Sequence, residues 1–185
     1  MLERLAAASM PIGDVLADIV GGSPSVGRPH IADAMVAKGY VADRAEAFDR
    51  YLADGGPMFV TRYATPLDRA LGLIVAAGGV AVVAHPWGRV SRDLLPPSLL
   101  AELAASGRLD GVEVDHQDHD PATRAELRGL AAGLGLLATG SSDYHGSGKT
   151  DHDLACNTTG AEVLAEIEAR VTARGGELEA GAASG

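Results

Sequence analysis

The sequence is poor in cysteine, in aromatic residues and in long apolar runs. Cys156 is the only cysteine among 185 residues, so an intramolecular disulfide, and with it a disulfide-stapled secreted fold, is excluded. Aromatic residues make up 4%, which leaves the packing of a core to Leu, Val, Ile and Ala. No run of about 18 apolar residues occurs, so no membrane span is predicted. Acidic residues interrupt the first 20 positions, which argues against a signal peptide, and we expect a cytoplasmic protein.

Positive charge is also scarce, and the formal net charge is -10. This balance opposes sequence-independent binding to duplex DNA, because such binding relies on Lys and Arg that neutralise phosphates. It does not exclude a phosphate-bearing substrate, since bound divalent cations can dominate the local field. The length suits one domain, or a small domain packed on part of another.

The first 60 residues show helical periodicity. Apolar residues recur at helical spacing over 12–20 and again over 31–36. Clusters of Gly and Pro at 21–24 and 55–57 mark the ends of helices. Residues 1–60 are therefore predicted to form a small all-helical unit.

From residue 61 on, helical and strand patterns alternate. The apolar runs at 80–84, 111–114 and 136–139 have the length of strands, and amphipathic stretches lie between them. Such alternation predicts an α/β fold with a parallel sheet or barrel over 61–174, whose active site lies at the C-terminal ends of the strands. The uninterrupted run at 80–84 further predicts a strand buried on both faces. Residues 175–185 are predicted to be a flexible tail.

Candidate metal ligands follow two of the predicted strands. His85 follows the first strand, and Asp143 and His145 follow the third. Side chains two apart in an extended segment point to the same side, so Asp143 and His145 could reach one metal or two adjacent ones. Imidazole and carboxylate groups suit Zn, Mn or Fe. On spacing alone, a histidine paired with a carboxylate in a loop fits equally well.

The other histidines near the strand ends are weaker candidates. His116 and His119 lie in a strongly polar loop after the second strand, and His152 lies between two aspartates. We expect these three side chains to be solvated and not to bind metal.

A possible anion site lies at the start of a predicted helix. Arg28 and His30 occur there, where backbone N–H groups and the helix dipole favour negative charge. The planar fork of Arg28 suits phosphate oxygens. A plain helix start with a surface arginine fits the same residues.

An ordered series of short motifs resembles a known family. The motifs are Gly27-Arg28-Pro29-His30-Ile31-Ala32, Ala84-His85-Pro86, Gly111-Val112-Glu113-Val114 and Gly140-Ser141-Ser142-Asp143-Tyr144-His145-Gly146. Together they resemble the PHP (polymerase and histidinol phosphatase) phosphoesterases of the RNase AM / nucleoside 3',5'-bisphosphate phosphatase type, over about residues 2–170. The resemblance implies the C-terminal part of a distorted (β/α)7 barrel, with a small all-helical insertion domain.

The resemblance also implies a chemistry. Members hydrolyse phosphoesters with divalent metal ions, Mn, Fe or Zn, three of them in the complete site. By resemblance, His85, Asp143 and His145 match late metal ligands, while Arg28 and His30 match the segment that approaches the substrate phosphate. The implied substrate is a phosphorylated nucleotide or a short oligonucleotide.

One part of the family pattern is missing. Members begin with a His-x-His motif on their first strand, whereas no histidine precedes His30 here. We expect the remaining part to lie upstream or in a separate chain, and this chain alone to bind metal weakly and to hydrolyse little. Two alternatives stay open: a non-catalytic binding or regulatory remnant of the fold, and another metal-dependent hydrolase on a barrel, such as an amidohydrolase.

Overall fold

The computed structural model describes residues 1–23, 25–61, 63–88, 91–146 and 149–178. The predicted tail therefore lies outside the described residues from position 179 on. The chain divides into two compact units. The first contains residues 1–63 together with 145–150, and the second contains residues 64–144 together with the chain from Asp151 on.

The first unit is helical. Its described residues form helices α1 (Leu2–Ala7), α2 (Gly13–Val20), α3 (Arg28–Ala37) and α4 (Arg44–Ala47), the last continuing as a π-helical turn, Phe48–Leu52. Leu5, Ile12, Met35 and Leu52 form a core in which each is almost fully removed from water. These residues turn inward from α1, from the position before α2, from α3 and from the π-helical turn.

The second unit alternates helices and parallel strands. Its described elements are α5 (Leu67–Ala76), β1 (Val82–Val83), a 3-10 turn (Ser91–Asp93), α6 (Pro97–Ala105), β2 (Gly111–Asp115), α7 (Pro121–Leu134), β3 (Leu137–Gly140) and α8 (Ala161–Ala173). The strands pair in parallel in the order β1-β2-β3, with α6 and α7 as the crossover helices. No helix in the described part of the chain is long and apolar enough to cross a bilayer.

The middle strand, β2, carries the core of this unit. Val112 and Val114 are fully buried against aliphatic side chains of the flanking helices, such as Leu100 and Leu127. The prediction of a strand over 80–84 buried on both faces is wrong. Only Val82–Val83 form the strand, and both are half-buried, because β1 has a single neighbour among the three described strands.

A buried carboxylate holds the N-terminal ends of the strands. Asp110 precedes β2 and accepts hydrogen bonds from Arg174 at 2.7 and 2.8 Å and from the Ala81 N–H at 2.8 Å. Burial raises the pKa of Asp110, but the bonds from Arg174 and Ala81 outweigh burial and hold that pKa below its ordinary value. Arg174 follows α8, so this carboxylate ties the last helix to the sheet at the end opposite to the loops described next.

Candidate metal site

A cluster of imidazole and carboxylate groups lies after the C-terminal ends of the parallel strands. His116 directly follows β2, Asp143 follows β3, and His152 lies in a later loop of the same unit. One potential ligand atom from each of the three lies within 4.8 Å of the others. His116 Nε2 and Asp143 Oδ2 are 3.5 Å apart. Nitrogen and carboxylate oxygen donors together suit Zn, Mn or Fe.

The histidines that we expected to be solvated are buried. The exposed fraction is 0% for His116, 2% for His119 and 8% for His152, so that expectation is wrong. The reason is that loop polarity does not report side-chain direction: Gln117 faces solvent, while His116 and His119 on either side of it turn inward. Buried imidazoles require hydrogen-bonding or ligand partners, which makes this loop part of the site.

The tautomer of His116 follows from its neighbours. The backbone N–H of Asp118 donates to His116 Nδ1 at 3.0 Å. An N–H can face only an unprotonated nitrogen, so the proton of neutral His116 lies on Nε2. That N–H group is directed at the site that contains Asp143 Oδ2, although 3.5 Å is long for a hydrogen bond. In this arrangement the Nε2–H group of His116 orients the carboxylate of Asp143, and His116 itself has no lone pair with which to bind a cation.

His119 has the opposite tautomer. Its Nδ1 lies 2.9 Å from the carbonyl oxygen of Val114, which can only accept, so Nδ1 carries the proton. Its Nε2 is buried and has no hydrogen-bond partner among the described residues. The His119 ring lies 5.8 Å from that of His116, centroid to centroid. His119 therefore presents an unused lone pair close to the cluster.

His116 is electrically neutral at ordinary pH. Burial lowers the pKa of His116 below its usual value, and neighbouring His85 lowers it further. The carboxylates of Glu113, Asp118 and Asp143 raise it but do not outweigh burial. A neutral imidazole is compatible with a bound cation beside it.

Strained backbone surrounds the cluster. His85, Asp143 and Asp151 have φ angles of 30°, 48° and 61°, in the left-handed region that non-glycine residues seldom adopt. Such strain costs about 1–3 kcal/mol per residue and concentrates at functional sites. The segment is thus not extended at Asp143, and the geometric reason given for pairing Asp143 with His145 does not hold.

The two other predicted ligands have different surroundings. His85 is exposed, and its ring centroid lies 4.9 Å from that of His116. The backbone N–H of His85 donates to Glu113 Oε2 at 2.7 Å. His145 belongs to the helical unit, where its carbonyl oxygen accepts from Arg44 Nη1 at 2.7 Å. Metal ligation by His85 and His145 stays a prediction.

The predicted phosphate-binding residues make contacts within the helical unit. Arg28 donates to Asp54 Oδ1 at 2.6 Å and to the Leu52 carbonyl at 3.1 Å. His30 Nδ1 accepts from the Gly27 N–H at 3.0 Å, which closes the first turn of α3. A phosphate would have to compete with Asp54 for Arg28, and phosphate binding by Arg28 and His30 stays a prediction.

Sequence reasoning considered His116 and His152 but set both aside as solvated. His116 directly follows a correctly predicted strand, so the rule that singled out His85 could have found it. His152 lies far from any strand end in the sequence, and no periodicity or motif marks it as part of the site.

Imidazole and carboxylate groups after the strand ends of a parallel α/β unit are typical of metal-dependent hydrolases. Among curated proteins, the chain is 36% identical over 131 residues to the 3',5'-nucleoside bisphosphate phosphatase of Chromobacterium violaceum, covering 70% of this chain and 45% of the relative. It is 32% identical over 143 residues to the 5'-3' exoribonuclease Rnm of Escherichia coli, covering 77% of this chain and 48% of the relative.

Two solved structures are similar over most of the chain. A protein named as a metal-dependent phosphoesterase from Bifidobacterium adolescentis matches with a TM-score of 0.80 and 34% identity, covering 91% of this chain and 60% of that one. An amidohydrolase from Chromobacterium violaceum, solved with bound sulfate and no metal, matches with a TM-score of 0.71 and 31% identity, with the same coverage of 91% and 60%.

These similarities support a PHP-type phosphoesterase, the family that the motif resemblance implies. The chain spans somewhat less than half the length of the curated relatives it matches. A scan against models of protein families finds no match.

Proposed function

We propose that the chain is part of a metal-dependent phosphoesterase that hydrolyses phosphoesters of nucleotides. The observation that carries the proposal is the cluster of His116, Asp143 and His152 at the C-terminal ends of a parallel sheet. Relatives named for nucleoside bisphosphates and for RNA support the substrate class. The fold and the family support the C-terminal part of a distorted (β/α)7 barrel as the larger architecture.

We assign Asp143 and His152 as direct ligands of a divalent cation, Mn, Fe or Zn. His116 keeps its Nε2–H toward Asp143 and orients the carboxylate, in the manner of an outer partner of a metal ligand. When bound, such a cation lowers the pKa of a coordinated water and neutralises charge on phosphoryl oxygens. His85 and His145 stay candidate ligands in this proposal, as the motif resemblance implies.

The helical unit supplies the phosphate contacts in this proposal. Arg28 and His30 lie at the start of α3, and the guanidinium of Arg28 exchanges Asp54 for the substrate phosphate. Both partners of the present ion pair are substantially exposed, 39% for the Arg28 side chain and 78% for that of Asp54. Exposed pairs of this kind are worth about 0–1 kcal/mol, so the exchange costs little.

The motif resemblance implies three cations in the complete site, and the ligands named above are too few for that number. We therefore propose that hydrolysis needs further ligands, supplied upstream or in trans, and that the 185-residue chain alone turns over slowly. A turnover of nucleoside 3',5'-bisphosphate by the purified chain at a rate typical of metallophosphatases would contradict this part.

Substitution of Asp143 tests the metal assignment. Asp143→Asn removes the charge of a direct ligand, so we expect the affinity for Mn²⁺ or Zn²⁺ in calorimetric titration to fall by more than about 100-fold, a larger loss than for an outer partner. When the further ligands are supplied, the rate of phosphoester hydrolysis should fall together with the metal affinity. The substrates for this assay are nucleoside 3',5'-bisphosphate and 5'-phosphorylated RNA. Asp93→Asn, at an exposed position, is the matched control. If no metal-dependent property of Asp143→Asn changes, a non-catalytic module is the better description.

A second candidate function is the hydrolysis of amides. It is favoured by the similarity to the amidohydrolase from Chromobacterium violaceum. A screen that offers phosphoesters and amides to the same metal-loaded protein decides between them, since only one class should be turned over in an Asp143-dependent manner.

A further inference from the structure

We infer that Arg124 is a positioning residue for the metal cluster, an inference that rests on the proposed function. Arg124 lies in the first turns of α7, directly after the loop that carries His116 and His119. Its Nη2 donates to the carbonyl oxygen of His116 at 2.7 Å, and its Nε donates to that of His119 at 3.0 Å. One guanidinium thus holds the backbone of both buried histidines.

The same guanidinium extends the contacts to a second loop. Arg124 Nη1 donates to Asn157 Oδ1 at 3.1 Å, and Nη2 also donates to Gln117 Oε1 at 3.2 Å. Asn157 Nδ2 donates to the same Gln117 oxygen at 3.1 Å. Gln117 Nε2 in turn donates at 2.7 Å to the carbonyl oxygen of Asp151. We call Arg124, Gln117 and Asn157 the Arg124 network.

The Arg124 network joins two loops that lie outside the pairing of the three described strands. β2 ends at Asp115, so the ladder ends before His116. Asp151, whose carbonyl the network holds, is the residue before His152 and has a positive φ. We infer that the network, together with the contact of 3.8 Å between His152 Nε2 and Asp118 Oδ1, sets the spacing between the buried rings of His116 and His152. Their centroids lie 5.8 Å apart.

The chemistry of the contacts favours positioning over simple surface pairing. All four acceptors of Arg124 named above are neutral oxygens, three of them from the His116–His119 loop and one from Asn157. Charge-assisted bonds to such oxygens are stronger than neutral ones and fix a direction, because the guanidinium is a planar fork. A lysine at this position would donate from a single nitrogen and would lack the planar fork that fixes the two donor directions.

The test compares Arg124→Gln and Arg124→Lys with Arg108→Gln in the full 185-residue chain. Arg108 is in the same unit but precedes β2, at the opposite end of that strand, where it pairs with exposed Asp68. We expect Arg124→Gln to lower the affinity for Co²⁺ by about 10- to 100-fold, as for other outer partners of metal ligands. The visible absorption of bound Co²⁺ should change as well, Arg124→Lys should recover part of the affinity, and Arg108→Gln should match the unmodified chain.

A second readout needs no cation. Diethylpyrocarbonate modifies accessible imidazoles, and exposed His85 and His145 serve as internal standards. His116 and His119 should react slowly in the unmodified chain and about tenfold faster or more in Arg124→Gln, because loss of charge-assisted bonds eases local opening. Gln117→Ala, at an exposed side chain, should show the same effect more weakly and replaces Arg124→Gln if that variant does not fold.

The outcomes separate this inference from the proposed function. If Arg124→Gln keeps both the Co²⁺ affinity and the slow modification of His116, the inference is wrong. It is also wrong if Arg108→Gln lowers affinity and protection to the same extent, since the effect is then a general loss of stability. If the unmodified chain binds no Co²⁺ but the protection of His116 still depends on Arg124, the positioning role stands and the metal assignment falls.

Discussion

The two buried histidines of the cluster should respond differently to replacement by glutamine. Glutamine keeps a hydrogen-bond donor and an acceptor but offers no imidazole nitrogen. At position 116 its amide can donate toward Asp143 and accept from the Asp118 N–H, the two relations that His116 has now. At position 152 it removes a direct ligand of the proposed cation. We therefore expect His152→Gln to be the far more damaging change.

The expected losses of metal affinity follow from the roles of His116 as an outer partner and His152 as a direct ligand. Loss of an outer partner costs about 10- to 100-fold in metal affinity, or about 1.4–2.7 kcal/mol, and His116→Gln, which retains the donor, should stay below that range. Loss of a direct ligand should exceed it. The assay is calorimetric titration with Zn²⁺ and Mn²⁺ in the 185-residue chain, with thermal unfolding of both variants as the control for folding.

The reverse order would refute the tautomer argument. If His116→Gln loses as much affinity as His152→Gln, or more, then His116 Nε2 binds the cation directly. That result would mean that the Asp118 N–H turns away from Nδ1 when metal binds, because both imidazole nitrogens cannot otherwise be satisfied.

Two further predictions concern the frame of the sheet unit. Asp110→Asn should lower the free energy of unfolding in urea at pH 7 by about 2–3 kcal/mol, because it weakens charge-assisted bonds from Arg174. The pKa of Asp110 is lowered in the folded state, so its contribution to the free energy of unfolding is present above about pH 4 and is lost as pH falls below that value. The difference in stability between Asp110→Asn and the unmodified chain should therefore shrink at pH 3. A difference that stays constant would contradict the assignment. Gly140→Ala should cost about 1–3 kcal/mol and loosen the site, because its Cβ would lie 2.7 Å from the Thr158 carbonyl oxygen and 2.9 Å from Asp115 Cβ. Gly133→Ala in α7, where a Cβ meets nothing within 4 Å, should instead stabilise by about 0.5–1 kcal/mol, and equal effects of the two changes would show the packing argument to be wrong.

The regular elements could be predicted because each leaves a periodic mark on the sequence. Helices α6 and α7 occupy the amphipathic stretches that lie between the three apolar runs. Strands β2 and β3 lie within one residue of their apolar runs. The error at β1 has a physical origin, since an apolar run reports burial but not how many neighbours the strand will have. Val82 and Val83 are in the strand, and the Ala81 carbonyl accepts backbone hydrogen bonds from Asp110 and Gly111 just before it.

The membership of the site could not be predicted in the same way, because its side chains lie in loops. Beyond the last residue of a strand, side chains no longer alternate between the two faces of the sheet. The direction of each loop side chain then depends on long-range hydrogen bonds. Arg124 reaches back to the loop of His116 and across to Asn157, a contact set with no trace in local sequence. The positive φ of Asp143 is likewise decided by its surroundings. The end of a parallel strand therefore tells where such a site lies, whereas the partners of the backbone in the following loop decide which histidines enter it.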